Sequence, residues 1–442
     1  MGMFIEYDQD QAYLLPPSPR DWLPEGHLVW FMSDTVDQLN IDPILDKYRG
    51  GGKGQLAYHP RLMLKILFYA YSVGVFSSRK IAKQIEENLA FRVLAGSQAP
   101  GHRTICRFRE ENLEEFERLF VEIVQLALAS GIGKMGTLAI DGSKVKANAS
   151  KHKAMSYERM KKEEKRLREE IRRLIRVAAK QDKLEDGEFG PDFRGDELPE
   201  ELRRRETRLA TIQAAKKRLE ERKATDAKAQ DDRKADRDND AGSGRGGSKT
   251  STARKGQPKP KDQENFTDPD SRIMKVGTGF QQSYNAQIAV EESRQLIVAV
   301  DVSQCASDTP ALIPMIDRAE TNTGEMPRRV LADAGYRSEE NLQALETREL
   351  RGYVAIGREG KKARLDPKKE ATARMIRRLQ GKRGRAQYKK RKGIVEPVFG
   401  WIKQVTGFRQ FSLRGQSKVR GEWSLICLAT NLRRMHSMLA WE

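Results

Sequence analysis

Cysteine is nearly absent from this chain, and aromatic residues are sparse. Three cysteines occur among 442 residues, Cys106, Cys305 and Cys427, far apart and odd in number. No CxxC pair exists. That excludes a zinc ribbon or a disulfide framework, and it fits a reducing, cytoplasmic setting. The N-terminal stretch "MGMFIEYDQDQAYLLPPSPRDW" lacks both a basic start and a long apolar segment, so no secretory signal is expected. The longest apolar run, "LMLKILFYAYSVGVF", is interrupted by Lys65 and is too short to span a bilayer, so no membrane partner is expected. Only 38% of residues are hydrophobic and 33% are charged, so part of the chain has little core of its own.

Positive charge is what the chain has in excess. The formal net charge is +19, which points to a polyanionic partner, nucleic acid first. The excess is concentrated. Residues 351–442 hold 24 Lys and Arg against 6 Asp and Glu. A block of that size next to a folded core is a phosphate-binding cue.

Residues 1–135 read as an all-helical domain. "HPRLMLKILFYAYSVGV" spaces its apolar residues for a helix buried on most sides. "SSRKIAKQIEENLAFRVLAG" follows with Ser78 as a cap and Ile81, Ile85, Leu89 and Phe91 as a stripe. A third helical pattern comes after Pro100. Short helices carrying Arg79, Lys80, Arg103, Arg107 and Arg109 suit a helix-turn-helix-like DNA reader. Periodicity alone fits an ordinary bundle with a basic rim equally well.

Between residues 151 and 265 the composition changes abruptly. This stretch holds 33 basic and 25 acidic residues and three aromatics. Met160, Leu167 and Leu174, with Ile171, form one stripe; Leu202, Leu209, Ile212 and Leu219 form another. The two predict an antiparallel helical hairpin over 151–228, closed on itself. Residues 229–265 are polar and glycine-rich and read as a flexible linker. From 266 to 442, short strands alternate with helices. Together with "GTLAID" in the segment 136–150, they make about five strands of an α/β core, split by an insertion.

Three carboxylates stand out. Asp141 ends an apolar run in "LAIDGSKVKANAS", and Asp333 ends another in "VLADAGY". Glu396 lies in "GIVEPVFGWIKQVTGF", where Pro397 predicts a helix beginning near Glu396, with Lys403 on the same face. Singly, each is most simply a cap or strand-end residue. Together, flanked by Lys and Arg, they suit a hard divalent cation and a phosphodiester. The five histidines need no catalytic role. Trp401, Trp423 and Phe408 are candidates to stack on an unpaired base, with core packing the simpler reading for Trp401. Asp268 and Asp270, in "DPDS", read as a turn.

"AIDGSKVKANAS", "LADAGYRSEENL" and "VEPVFGWIKQVTGFRQFSLRG" resemble the three signature blocks of DDE-type transposases of bacterial insertion sequences. "HPRLMLKILFYAYSVGVFSSRKIAKQIEENLAFRVLAG" resembles the helical domain preceding their catalytic core. The resemblance implies an RNase H-like core with a mixed sheet, in which Asp141, Asp333 and Glu396 hold two Mg2+ ions, with Mn2+ able to substitute. It implies cleavage at terminal inverted repeats and strand transfer into target DNA by two-metal in-line displacement. It also implies double-stranded DNA as partner and a homodimer or larger synaptic assembly, in the bacterial cytoplasm at the nucleoid. Tyr388, Arg391 and Lys403 fall in the family's extended third block. Four residues separate Arg391 from Glu396 where the family has three, and Lys392 stands at the expected arginine position. Lys144, Lys146, Arg409 and Arg414, with Arg79, Lys80 and Arg103, are the expected DNA contacts. The alternatives are an RNase H-like nuclease without strand transfer and a catalytically dead DNA-binding protein.

Overall fold

The computed structural model describes residues 18–48, 56–189, 200–238, 256–357 and 369–439. It divides into two compact units, Met1–Lys146 with Tyr284–Glu442, and Ala147–Ser283.

Among the described residues the first unit opens with seven α-helices: α1 (Leu28–Gln38), α2 (Asp42–Asp46), α3 (Pro60–Ser72), α4 (Ser78–Glu87), α5 (Leu89–Leu94), α6 (His102–Glu111) and α7 (Leu113–Ala129). Two histidines start helices here. His27 Nδ1 accepts the Val29 N–H and His59 Nδ1 the Arg61 N–H, each supplying an orphan donor with a partner. α3 is buried on nearly every side, as its apolar density predicts. The expected single helix from Ser78 onward is two helices. Asn88 leaves helical geometry and caps the Ala90 N–H at 2.9 Å, which turns Leu89 out to 38% exposure.

Next comes β1 (Thr137–Lys146). It does not stop at Asp141. Its second half continues as a strand, and the Lys146 backbone is bracketed by Arg409 and Phe411.

The second unit contains β2 (Ala154–Ser156), α8 (Tyr157–Phe189), α9 (Glu200–Asp238), β3 (Gln263–Asn265) and β4 (Arg272–Val276). α8 and α9 form the expected antiparallel hairpin around Met160, Leu167, Ile212 and Ala215. Cross-helix ion pairs run in reverse order along it: Glu164 with Lys216 at 2.9 Å, and Glu170 with Arg205 at 3.1 Å. α9 continues past the expected boundary at 228 to Asp238, because its Ala, Lys, Arg and Gln residues are good helix formers. The linker expected over 229–265 is also corrected at its far end. There β3 pairs antiparallel with β2, and buried Glu264 holds Arg218 at 2.8 Å. The middle of that linker, 239–255, lies outside the described residues.

β5 (Gly279–Glu291) pairs first with β4 and then, from Asn285, with β6 (Ile297–Ser303), antiparallel in both cases. There follow α10 (Leu312–Thr323), β7 (Arg329–Ala332), α11 (Glu339–Thr347), β8 (Arg351–Val354), α12 (Glu370–Gln380), α13 (Lys382–Gly400) and α14 (Gln416–Leu439). The sheet order is β6-β5-β1-β7-β8, with β1, β7 and β8 mutually parallel. β1 and β5 are antiparallel. Thr137 O accepts from Glu292 N at one end of the pair, and Gln282 O accepts from Ala147 N at the other. Three antiparallel strands followed by two parallel additions beside the first make the RNase H-like arrangement.

α14 is the core helix of the first unit, unbroken in its burial from Gly421 to Leu432. Asn431 on it bonds both the N–H and the C=O of Ile297. Trp423 and Phe408 are therefore core residues, at 0% and 1% exposure, and not stacking platforms. Trp401 is half-buried beneath the Arg433 guanidinium.

The helix bearing Glu396 starts at Lys382, well before the position Pro397 predicts. Proline removes the N–H that would bond the Gly393 carbonyl. Gln295 supplies the replacement, with its Nε2 2.9 Å from that oxygen. The proline is thus accommodated inside α13 by a tertiary contact. A single π turn, Trp401–Val405, follows.

Candidate active site

β1 and β7 are in register to Ile140 opposite Ala332. The next residue in sequence is in each case a carboxylate, Asp141 on β1 and Asp333 just past the end of β7. Two acidic side chains therefore leave the sheet side by side at one end of its parallel pair. The apolar residues before them anchor the strands in the core, where Leu138 through Ile140 and Val330 through Ala332 are fully buried.

Asp141 is pinned on both oxygens. Its Oδ1 accepts the Gly142 N–H at 2.9 Å, and its Oδ2 lies 3.2 Å from Nη1 of Arg391 on α13. Burial pushes its carboxyl up to about 6, against the pull of Arg391; the negative charges of Asp333 and Asp308 push the same way. Asp333 caps a short turn, Ala334–Tyr336, with its Oδ1 2.8 Å from the Gly335 N–H.

α13 carries the cations to this pair. Arg391, only 8% exposed, is supported one turn back by a hydrogen bond with Tyr388. Lys403, in the middle of the π turn, donates to the Ser143 hydroxyl two residues beyond Asp141. Burial lowers the Lys403 ammonium, while Asp141 draws it back up. The deviant spacing before Glu396 thus leaves Arg391, rather than Lys392, facing the first aspartate; Lys392 is exposed.

The remaining expected contacts divide clearly. Lys144 pairs with Asp308 at 2.9 Å, and its charge is engaged within the protein. Lys146 is exposed, and its backbone pairs beside Gln410, next to exposed Arg409. Arg414 is exposed as well. Arg79, Lys80 and Arg103 are exposed on α4 and α6, two helices that pack together. Arg109 is not a surface cation. It is 5% exposed and donates to the Tyr71 hydroxyl and the Phe76 carbonyl, both at 3.0 Å.

Glu396 is exposed on α13. Among the described residues, no three His, Cys, Asp or Glu side chains form a metal-holding group. Asp141 and Asp333 suit a hard divalent cation: both offer oxygen, and positive charge would offset the burial and the repulsion that raise Asp141. The third carboxylate is not drawn to them in this conformation.

Sequence reasoning missed Asp308, which acts electrostatically on Asp141 together with Asp333. Its surroundings, "ASDTPAL", signal only the start of a helical turn. Its partners Asn285 and Gln287 are polar residues fully buried in a strand, which only the structure reveals.

The described residues include no helix long and apolar enough to cross a membrane. No curated protein and no solved structure is significantly similar to the chain. Two family models do match it. Residues 17–111 match a family described as "Transposase domain (DUF772)", and residues 224–432 match one described as "Transposase DDE domain". Asp333 and Glu396 fall inside the second match, while Asp141 falls between the two. With the helical domain and the DDE domain in this order on an RNase H-like sheet, the chain belongs to the DDE-type insertion-sequence transposases, enzymes of the polynucleotidyl transferase type that act on DNA.

Proposed function

We propose that this transposase cuts DNA at the terminal inverted repeats of its element and joins the freed ends to a target, using Asp141, Asp333 and Glu396 around two Mg2+ ions. The observation that carries the reading is the register of β1 and β7, which sets Asp141 beside Asp333 with Arg391 at hand. DDE transposase domains depend on divalent metal. When bound, the metal polarises the scissile phosphate and activates the attacking hydroxyl.

The chain's own residues perform the rest. Asp141 and Asp333 supply the fixed oxygens. Glu396, exposed on α13, would be the third residue to hold the metal. Lys403 sits beside Ser143, where its ammonium meets a substrate phosphate. Arg391, paired with Asp141, would bring positive charge beside the same phosphate. The exposed first half of α13, with Lys382, Arg383, Arg385 and Lys389, tracks the DNA backbone. Arg79, Lys80 and Arg103 serve the helical domain in the same way. Joining two ends calls for a dimer or larger synaptic assembly, in the cytoplasm where the element's DNA resides.

Labelled DNA carrying the sequences that flank the coding region tests this. The parent protein should give cleaved and joined products in Mg2+. Asp333→Asn should bind that DNA normally and yield neither. Cleavage without joining would reduce the activity to that of a nuclease, and unchanged cleavage by Asp333→Asn would reject the site.

A further inference from the structure

We propose that Asp308 is a positioning residue of this site, its carboxylate setting the strand that presents Asp141 and the turn that Asp333 caps. The proposal rests on the reading of those aspartates as the catalytic pair.

Asp308 lies between β6 and α10 in sequence and is 18% exposed at its side chain. One oxygen, Oδ1, accepts from three donors on two strands. Lys144 Nζ lies at 2.9 Å, Asn285 Nδ2 at 2.6 Å and Gln287 Nε2 at 2.9 Å. Lys144 is three residues beyond Asp141 on β1. Asn285 and Gln287 are fully buried on neighbouring β5. A carboxylate so engaged is an anchor and not a free metal ligand.

The same carboxylate occupies space that only glycine leaves open. A Cβ on Gly142, next to Asp141, would lie 2.7 Å from Asp308 Oδ1 and 2.2 Å from Gln287 Nε2. A Cβ on Gly335, two residues after Asp333, would lie 3.0 Å from Asp308 Oδ2. The glycines of "IDGS" and "DAGY" thus both lie against Asp308, Gly142 also against Gln287 and Gly335 also against the Asp333 carboxylate at 2.9 Å. Hydrogen bonds continue the clamp. Thr309 Oγ1 donates to the Gly335 carbonyl at 2.9 Å, and the Tyr336 hydroxyl donates to Gln287 Oε1. Asp308 therefore lies against a glycine near each aspartate and holds β5, the strand between β1 and β6. Groups that orient metal-binding carboxylates typically change metal affinity or activity by about 10- to 100-fold when removed.

Full-length Asp308→Ala, Asp308→Asn and Asp333→Asn are compared with the parent. The readouts are Mn2+ binding, followed by the electron paramagnetic resonance signal of free ion, DNA binding by mobility shift, and thermal unfolding. Asp308→Ala should bind DNA as the parent does but need about 10-fold more Mn2+ for half saturation. Asp308→Asn, which keeps an oxygen for the three donors, should show a smaller rise. Should the alanine variant fail to fold, the rise in Asp308→Asn decides. A folded Asp308 variant with parental Mn2+ affinity, alongside an Asp333→Asn protein that has lost it, overturns the positioning role alone. Parental Mn2+ affinity in Asp333→Asn overturns the catalytic pair itself.

Discussion

Nη1 of Arg391 lies 3.2 Å from Oδ2 of Asp141, joining α13 to β1 across 250 residues of chain. Both side chains are largely buried, at 10% and 19% exposure. Removing one partner strands the other charge. Arg391→Met should therefore destabilise the protein by about 2 kcal/mol, somewhat below the cost of breaking a fully buried pair. Asp141→Asn combined with Arg391→Met should recover part of the loss. Urea unfolding of the two single variants and the double variant measures the coupling; strict additivity would show that the pair is not felt energetically.

A methyl added at Gly142 would lie closer than van der Waals contact to two side chains. Its Cβ would press on the buried Gln287 amide and on Asp308. Gly142→Ala should cost about 1–3 kcal/mol by overpacking and should reduce cleavage while sparing DNA binding. A fully active, equally stable alanine variant would mean that the β1–β5 contact yields easily.

These two sites mark how far the sequence could be read. Asp141 and Asp333 were legible because each follows an apolar run, a strictly local signal of a strand emerging from the core. The register that puts them side by side is a pairing of distant segments, and only their likeness to known blocks anticipated it. The start of α13 was misplaced because Pro397 obeys a local rule, the preference for a helix's first turn. A distant contact overrides that rule: Gln295, 98 residues away, takes up the carbonyl that the proline leaves bare. Asp308 had no local signature at all, since its role comes from three donors on two strands. Arg109 resembled the arginines around it in the sequence, yet its helix faces it inward to Tyr71.

That inward turn separates two kinds of arginine in the helical domain. Arg79→Gln, Lys80→Gln and Arg103→Gln together should weaken DNA binding with little loss of stability, because all three are exposed. Arg109→Leu should do the reverse. It unpairs the buried Tyr71 hydroxyl and should cost about 1–3 kcal/mol. Thermal melts and mobility shifts on both variants distinguish the roles; weakened DNA binding by a fully stable Arg109→Leu would contradict the buried assignment.

Glu422 gives a pH prediction independent of the catalytic centre. It is fully buried on α14, where both its oxygens accept the Ser412 N–H and one also accepts the Leu413 N–H. Burial raises its carboxyl above the usual range, opposed by those backbone donors and by Arg109. A folded-state value above the unfolded one means that the protonated form favours folding. That stabilisation is complete below the unfolded pKa and is lost as pH rises through the folded pKa. Glu422→Gln cannot lose it. Whatever the fixed offset from altered hydrogen bonding, its stability relative to the parent should improve from about pH 5 to about pH 8. Parallel urea-unfolding curves for the two proteins across that range would contradict the raised carboxyl.

The last prediction concerns the charge itself. Arg383, Arg385 and Lys389 are exposed along the first half of α13, on the helix that delivers Arg391 and Lys403 to the aspartates. If this face lies along the phosphates, each cation releases about one counterion on binding. The triple change to Gln should then lower affinity and flatten the plot of log affinity against log salt by roughly 0.9 per residue removed, about 2.7 in all. A fluorescence-anisotropy titration at several salt concentrations reads the slope directly. An unchanged slope would place the DNA on another face of the molecule and leave the position of α13 to be explained by Arg391 and Lys403 alone.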